Sequence, residues 1–276
     1  GADYPVSIRL SAEEFIKGGY LVEDIQTVIP DMVQSGIDIV HASFGTHGSP
    51  GTITQAPPEY EAGFNIRLAR KIKEVTNVPV IGVGRYTDPA EADAAIARGD
   101  ADLIAFGRQF LADPDFLIKA QEGRTEDIRQ CIACNQGCIE RLGLEMKSTT
   151  CTFNPECGQE DRGVAPPVSG RRRLWVIGAG PAGLAAALAA SERGFAVEIF
   201  EKEAVPGGQL QPASRPPHKR PFLDWVYWAV RQLEKRGVRL HYHEEMHAET
   251  LRKDRPDAVI LAAGASPAVA NLPGID

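Results

Sequence analysis

Short β-branched runs alternate with longer amphipathic stretches over the first 130 residues of the chain. The runs Val6–Leu10, Asp38–Ser43, Pro79–Gly84 and Asp102–Gly107 predict strands, and the apolar spacing at about 22–35, 59–76 and 88–98 predicts helices between them. Strands that are apolar almost throughout, each followed by a helix, predict a parallel sheet covered on its outer face. Four such units of roughly 30 residues suit either a doubly wound sheet or half of an eight-fold barrel. From Gly123 to Gly163 the periodicity collapses into a loop-rich segment, and a Pro/Gly-rich linker runs on to Gly170. A new βαβ pattern follows: strand Leu174–Ile177, a helix at about 181–193, and strand Val197–Glu201. A longer helix at Phe222–Arg236 and strands near Val238–His243 and Ala258–Ala262 complete it. The expected fold class is α/β, in three segments at 1–122, 123–163 and 171–276.

Composition narrows the function. With 43% hydrophobic and 24% charged residues the chain reads as an ordinary globular protein. No apolar run approaches the roughly 20 residues that span a bilayer, and Gly1–Tyr4 opens no export signal, so a cytoplasmic protein without a membrane partner is expected. The net charge of −7 speaks against nucleic acid, and Arg171–Arg173 and Lys219-Arg220 read as solvated linker ends. All five cysteines, Cys131, Cys134, Cys138, Cys151 and Cys157, fall within 27 residues. Clustering of this kind predicts a metal or redox site rather than a disulfide framework.

The spacing Cys131-x2-Cys134-x3-Cys138-x12-Cys151 crowds three thiols together and leaves one distant. Three ligands in one turn grip three corners of a cubane while a returning loop supplies the fourth. Structural zinc draws its ligands as two separated pairs, so a 4Fe–4S cluster is the expected occupant, with zinc and unliganded thiols as the alternatives. Cys157 is expected to be a spare or packing thiol.

Leu174–Ile177 runs directly into Gly178-Ala-Gly180-Pro-Ala182-Gly183-Leu184, a Gly-x-Gly-x-x-Gly turn between a strand and a helix. In that setting Gly178, Gly180, Ala182 and Gly183 are candidates for the pyrophosphate of a dinucleotide, and Glu201 for its ribose hydroxyls. FAD and NAD share this turn. The pair Gly207-Gly208 with Gln209, and the small-residue turn Ala262–Pro267, favour FAD. His241, His243 and His247 read as a solvated edge rather than a metal site.

Taken in order, the βα repeats, the cysteine spacing and the glycine turn resemble the 2,4-dienoyl-CoA reductase and trimethylamine dehydrogenase group. The most specific stretches are Gly99–Arg108, Cys131–Cys138 and Gly178–Leu184. The resemblance implies the C-terminal half of a (β/α)8 barrel of the Old Yellow Enzyme type, an iron–sulfur segment, and a truncated FAD-binding Rossmann-like domain. It further implies FMN held by Arg9 at its pyrimidine edge and by Gly84, Arg85, Gly107 and Arg108 at its phosphate. The FAD contacts would include Gly208 and Gln209, and His47 would be the proton donor, a loop histidine without chemical duty being its alternative. The implied reaction reduces the activated C=C bond of an enoyl- or dienoyl-CoA-type substrate, with NAD(P)H serving only the complete enzyme. An amine dehydrogenase and a non-catalytic electron-transfer subunit are the rivals. Neither the family's first half-barrel nor a second glycine turn is found in these 276 residues, so a missing half or a partner subunit, and an oligomer, are expected.

Overall fold

In a computed structural model describing residues 3–163, 165–266 and 268, the chain carries two four-stranded parallel sheets among the described residues. Each belongs to its own compact unit, and the boundary falls between Asp161 and Arg162.

In the first unit, β1 (Ser7–Ser11), β2 (Ile39–Ser43), β3 (Val80–Val83) and β4 (Leu103–Ala105) lie side by side in chain order. A right-handed crossover that always advances in one direction leaves every helix on the same face. That is the arc of a barrel; a doubly wound sheet must reverse direction. Side-chain alternation assigns the faces. Val40, Ala42 and Val80 pack outward with Leu68, Ala69 and Ile72 and with Val22 and Ile29 in one core. The intervening residues point inward, where the register sets Arg9 beside His41, Ser11 beside Ser43, His41 beside Ile81 and Val83 beside Ala105.

The connecting helices are Val22–Gln34, Ile66–Lys73 and Pro89–Ala97. The last starts at Pro89 with the Asp88 carboxylate accepting from the Ala90 amide at 2.8 Å, which satisfies one of the free donors at that end. The second helix is shorter than its periodicity predicts. Pro57 and Pro58 keep the preceding backbone extended, and the Gly63 amide donates to the Gly84 carbonyl at 2.6 Å instead of to a helical partner.

The cysteine-bearing segment packs within the first unit. Its anchor is Asp113, 1% exposed, whose carboxylate accepts from Lys119 Nζ at 2.7 Å and from the Arg129 amide at 2.8 Å. Asp113 closes the short helix Arg108–Ala112, so the segment hangs from the element that follows β4.

The second unit orders its strands differently. β5 (Arg173–Ile177), β6 (Ala196–Glu201), β7 (Arg239–Tyr242) and β8 (Ala258–Leu261) run β7-β6-β5-β8 across the sheet. Helices Pro181–Glu192 and Pro221–Lys235 pack on it through Leu184, Ala187, Val226, Ala229 and Leu233, all fully buried. The order reverses between β5 and β8, which opens a crevice at the carboxyl ends of those strands. Of the small-residue turn predicted after β8, Pro267 lies outside the described residues, as do Gly274–Asp276. No helix among the described residues is long and apolar enough to cross a membrane.

Candidate cofactor sites

The carboxyl ends of β1–β4 surround a cavity of about 280 Å3. Arg9 reaches it from β1, its Nη2 donating to Ser43 Oγ at 3.2 Å. Gly84-Arg85 after β3 and Gly107-Arg108 after β4 line it as well. Arg85 sits in the left-handed region at φ 61° and donates through Nη1 to the Pro57 and Pro58 carbonyls at 3.2 and 3.3 Å. Its Nε is buried with no partner. Arg108 Nη2 donates to the Ala56 carbonyl at 2.9 Å. Burial first, and the Arg108 charge second, push the Arg85 guanidinium below its ordinary value. Arg85 and Arg108 thus face the cavity that Arg9 also lines, with carbonyls for company and no paired carboxylate among the described residues. A buried cation without a counter-charge is costly, and a bound phosphate removes that cost.

His47 occupies the tip of the loop after β2 and is exposed, outside the lining of this cavity. The loop itself is pinned: the Ser49 hydroxyl donates to the Glu14 carbonyl at 2.6 Å and accepts from the Thr46 amide at 2.7 Å. His41, on the inward row of β2 across from Arg9, carries no motif in the sequence. Its Nε2 is buried without a partner, and burial, then Arg9, lower its pKa.

Beside this cavity, a smaller one is lined by Cys131, Cys134, Cys138 and Cys151 together with Arg108. Gly137 makes this possible. A Cβ there would lie 2.9 Å from the Thr152 amide nitrogen and 3.0 Å from the Thr150 carbonyl, so only glycine lets the returning loop carry Cys151 against the first three cysteines. The Thr150 amide closes the contact by donating to the Gly137 carbonyl at 2.7 Å. The Ala133 amide donates to Cys131 Sγ at 3.4 Å. Ala133 at φ 55° and Asn135 at φ 62° hold the Cys131–Cys138 turn in two left-handed steps, and such a conformation persists only where the surroundings over-determine it. Burial raises the pKa of Cys131 and Cys138. Their thiolates therefore need a cationic centre, and four cysteines with one arginine and no nearby carboxylate in the lining fit an iron–sulfur cluster. No three His, Cys, Asp or Glu side chains among the described residues converge as a single-ion site. Cys157 is buried and lies outside this lining.

In the second unit the glycine turn closes tightly. A Cβ on Gly183 would stand 1.9 Å from the Gly178 carbonyl oxygen, so helix Pro181–Glu192 meets β5 only through glycine. A Cβ on Gly180 would meet nothing within 4 Å, which leaves open space at the helix start beside Ala182. Glu201 is 8% exposed, and its carboxylate accepts from the Ala179 amide at 2.7 Å and the Glu203 amide at 2.9 Å. Both oxygens thus serve the turn itself and keep further lone pairs for a ligand. Gly207 donates to the Ala179 carbonyl at 2.8 Å, drawing Gly208 and Gln209 over the same crevice, and Gln209 Nε2 reaches the Ala265 carbonyl at 3.1 Å. A larger open cleft, about 440 Å3, lies at the opposite strand ends among Arg171, Arg173, Arg236 and Arg239. Ligands of such sheets bind at carboxyl ends, so we assign it no role. His241 is half-buried, stacked on Phe200 with ring centroids 4.7 Å apart and bonded to Glu198 at 2.9 Å, while His243 and His247 are exposed.

Gln109, Asn135 and Gly137 escaped sequence reasoning. Gln109 is 2% exposed and accepts from the Cys131 amide at 2.9 Å while donating to the Arg129 carbonyl at 3.2 Å. Asn135 bonds to both Arg108 and Gln55. The only signal was position: each flanks a residue that the motifs had already marked.

Comparison with known proteins gives the same division. Residues 1–127 match the NADH:flavin oxidoreductase / NADH oxidase family, and residues 176–225 match an NAD(P)-binding Rossmann-like domain. The chain is 38% identical over 279 aligned residues to an NADH oxidase of Thermoanaerobacter brockii, covering 100% of this chain and 42% of that protein. A 2-naphthoyl-CoA reductase in complex with 2-naphthoyl-CoA superposes with TM-score 0.93 at 31% identity, over 100% of this chain and 42% of that one. Histamine dehydrogenase from Rhizobium sp. 4-9 gives TM-score 0.85 at 28% identity, over 94% and 38%. The chain therefore spans about two fifths of the length of these relatives, and its residues 1–127, which carry the barrel arc, belong to the NADH:flavin oxidoreductase / NADH oxidase family.

Proposed function

We propose that this chain is part of an NAD(P)H-dependent flavin and iron–sulfur oxidoreductase that reduces the activated C=C bond of an acyl-CoA-type substrate. The observation that carries the reading is the adjacency of two cavities in one unit: a cationic one at the strand ends and a four-cysteine one, with Arg108 and Cys131 in both linings. When bound, FAD, a 4Fe–4S cluster and FMN supply hydride acceptance, one-electron relay and substrate reduction in that order. Arg85 and Arg108, with the Gly84 and Gly107 backbone, hold the FMN phosphate; Arg9 faces the polar edge of the ring. Cys131, Cys134, Cys138 and Cys151 are the cluster ligands. Gly178, Gly180, Ala182 and Gly183 receive the FAD pyrophosphate, Glu201 its ribose, and Gly208 and Gln209 border its path. His47, on the pinned loop after β2, donates the proton to the substrate carbon. The inward face of β1–β4, where Leu103 is 48% exposed, is covered by the other half of the barrel, from a further segment or a partner subunit. The 2-naphthoyl-CoA reductase likeness supports a CoA thioester as substrate.

The test is iron, sulfide, FAD and FMN per polypeptide on one anaerobically purified sample. About four iron and four sulfide, as a four-cysteine cubane requires, with both flavins is the expected result. Zinc without flavin overturns the proposal. The likeness to histamine dehydrogenase favours one second reading, an amine dehydrogenase passing electrons outward. Failure of NADH and NADPH to bleach the flavin absorbance, with bleaching by an amine, would select it.

A further inference from the structure

Arg108 does not stand free at the flavin cavity. Its Nη1 donates to Asn135 Oδ1 at 2.5 Å, and Asn135 Nδ2 donates to the Gln55 carbonyl at 2.7 Å. Arg108 itself reaches the Gln55 and Ala56 carbonyls at 3.3 and 2.9 Å. Asn135 thus closes a triangle between the arginine and the loop Gln55–Ala56, and all three corners border the larger cavity or its lining residues. Asn135 also lies between Cys134 and Cys138, in the left-handed conformation that shapes their turn. Asparagine tolerates that conformation better than most residues and is short enough to bond locally from it. The next residue in the short helix, Gln109, grips the Cys131 amide. The phosphate-end arginine is therefore held in place by the cysteine loop, and the cysteine loop by the arginine.

Two sites that fix one shared element have a coupling free energy, and the coupling is reciprocal. We propose that Asn135 is a positioning residue that couples the cysteine site to the flavin site, so that loading the cluster tightens FMN binding and FMN tightens retention of the cluster. This rests on the reading of the two cavities as cluster and FMN sites. Ordering of the Cys131–Cys138 turn fixes Asn135, Asn135 fixes Arg108, and Arg108 then meets the phosphate without a further loss of rotamer freedom. The Arg108 charge, present in both linings, offsets the repulsion between the two anionic groups.

The experiment is an FMN titration, followed by flavin fluorescence, on the protein with its cluster and after anaerobic removal of iron by a chelator. Iron and sulfide are counted on every sample. The unsubstituted protein is expected to lose about tenfold in FMN affinity when iron is removed, within the usual range of such couplings. Asn135→Gly keeps the backbone conformation and deletes the amide. It should bind FMN as weakly as the iron-free protein whether or not its cluster is present, and should lose iron faster to the chelator. Asn135→Asp keeps the acceptor for Arg108 but loses the donor to Gln55 and brings a negative charge onto the arginine, so it too should bind FMN more weakly than the unsubstituted protein. Equal FMN affinity with and without iron in the unsubstituted protein overturns the coupling, and an unchanged difference in Asn135→Gly overturns the role of Asn135. A protein that holds neither iron nor FMN at the outset instead refutes the cofactor reading, and the coupling falls with it.

Discussion

The two parallel sheets of this chain are built from the same βα unit and place their candidate sites in different ways. In the first, each strand is added beyond the last, and the residues that face the cavity come from the ends of all four strands. In the second, the order β7-β6-β5-β8 doubles back, and the site collects at the single crevice where it reverses. A sequential sheet spreads its site over many contributors, so each residue there holds a share. A reversing sheet concentrates it in one turn, where one atom too many is decisive.

The sharpest way to break that contrast is Gly183→Val. The added Cβ would collide with the Gly178 carbonyl, which is backbone and has nowhere to go. The expected cost is on the order of 3 kcal/mol or more, the upper end for forced overpacking. The second unit should unfold or release FAD, while iron and FMN in the first unit persist. Limited proteolysis with cofactor counting reads both; loss of all cofactors together would show that the units are not independent.

In the first unit no single change should be as severe. Arg85→Met and Arg108→Met each remove one cation from the cavity proposed for FMN, a charge-assisted contact of about 1.5–3 kcal/mol. FMN affinity should fall roughly 10- to 100-fold in each, with FAD content unchanged. A loss of FAD in either variant would contradict the assignment of separate sites. Glu201→Gln tests the second unit more gently. The new amide nitrogen faces the Ala179 or Glu203 amide, leaving one buried donor unpaired at a cost of about 1–3 kcal/mol. Weaker FAD binding with undisturbed FMN is expected, measured by equilibrium dialysis of each flavin.

What was legible in the sequence follows the same division. Strand and helix positions could be read because period and glycine placement are local properties. The Rossmann turn was legible for the same reason: Gly178, Gly180 and Gly183 act within six residues of each other. The choice between barrel arc and doubly wound sheet was not, because strand order is a property of crossovers and leaves no mark on periodicity. The helix expected over 59–76 begins only at Ile66 because the Gly63 amide is claimed by Gly84, a contact between segments 21 residues apart. Four cysteines announced their site, but Gly137 and Asn135, which shape it, carry no chemical signature outside the folded loop. His47 had a motif and proves exposed, outside the cavity lining, whereas His41 had none and carries a buried ring nitrogen without a partner.

His41 offers the smallest and most selective effect. It lies in the inward row of β2 directly across from Arg9, and its Nε2 has no partner, whereas His241 in the second sheet is bonded to Glu198. Burial, and then the Arg9 charge, hold its pKa below the ordinary 6.5. The folded protein therefore resists a proton that the unfolded chain accepts. Its contribution to stability is complete above pH 6.5, declines as the pH falls through that value, and stops declining once the folded state itself takes up the proton. His41→Gln cannot be charged, so the variant should lose the part of the acid-side decline that belongs to the first unit. Urea unfolding of both proteins at pH 7.5 and 5.5, followed by a probe confined to the barrel arc, measures this: the gap in stability between the two pH values should narrow in the variant. An unchanged gap would mean that His41 is already solvated or paired in the folded protein, and that the inward face of the arc is more open than its buried ring nitrogen implies.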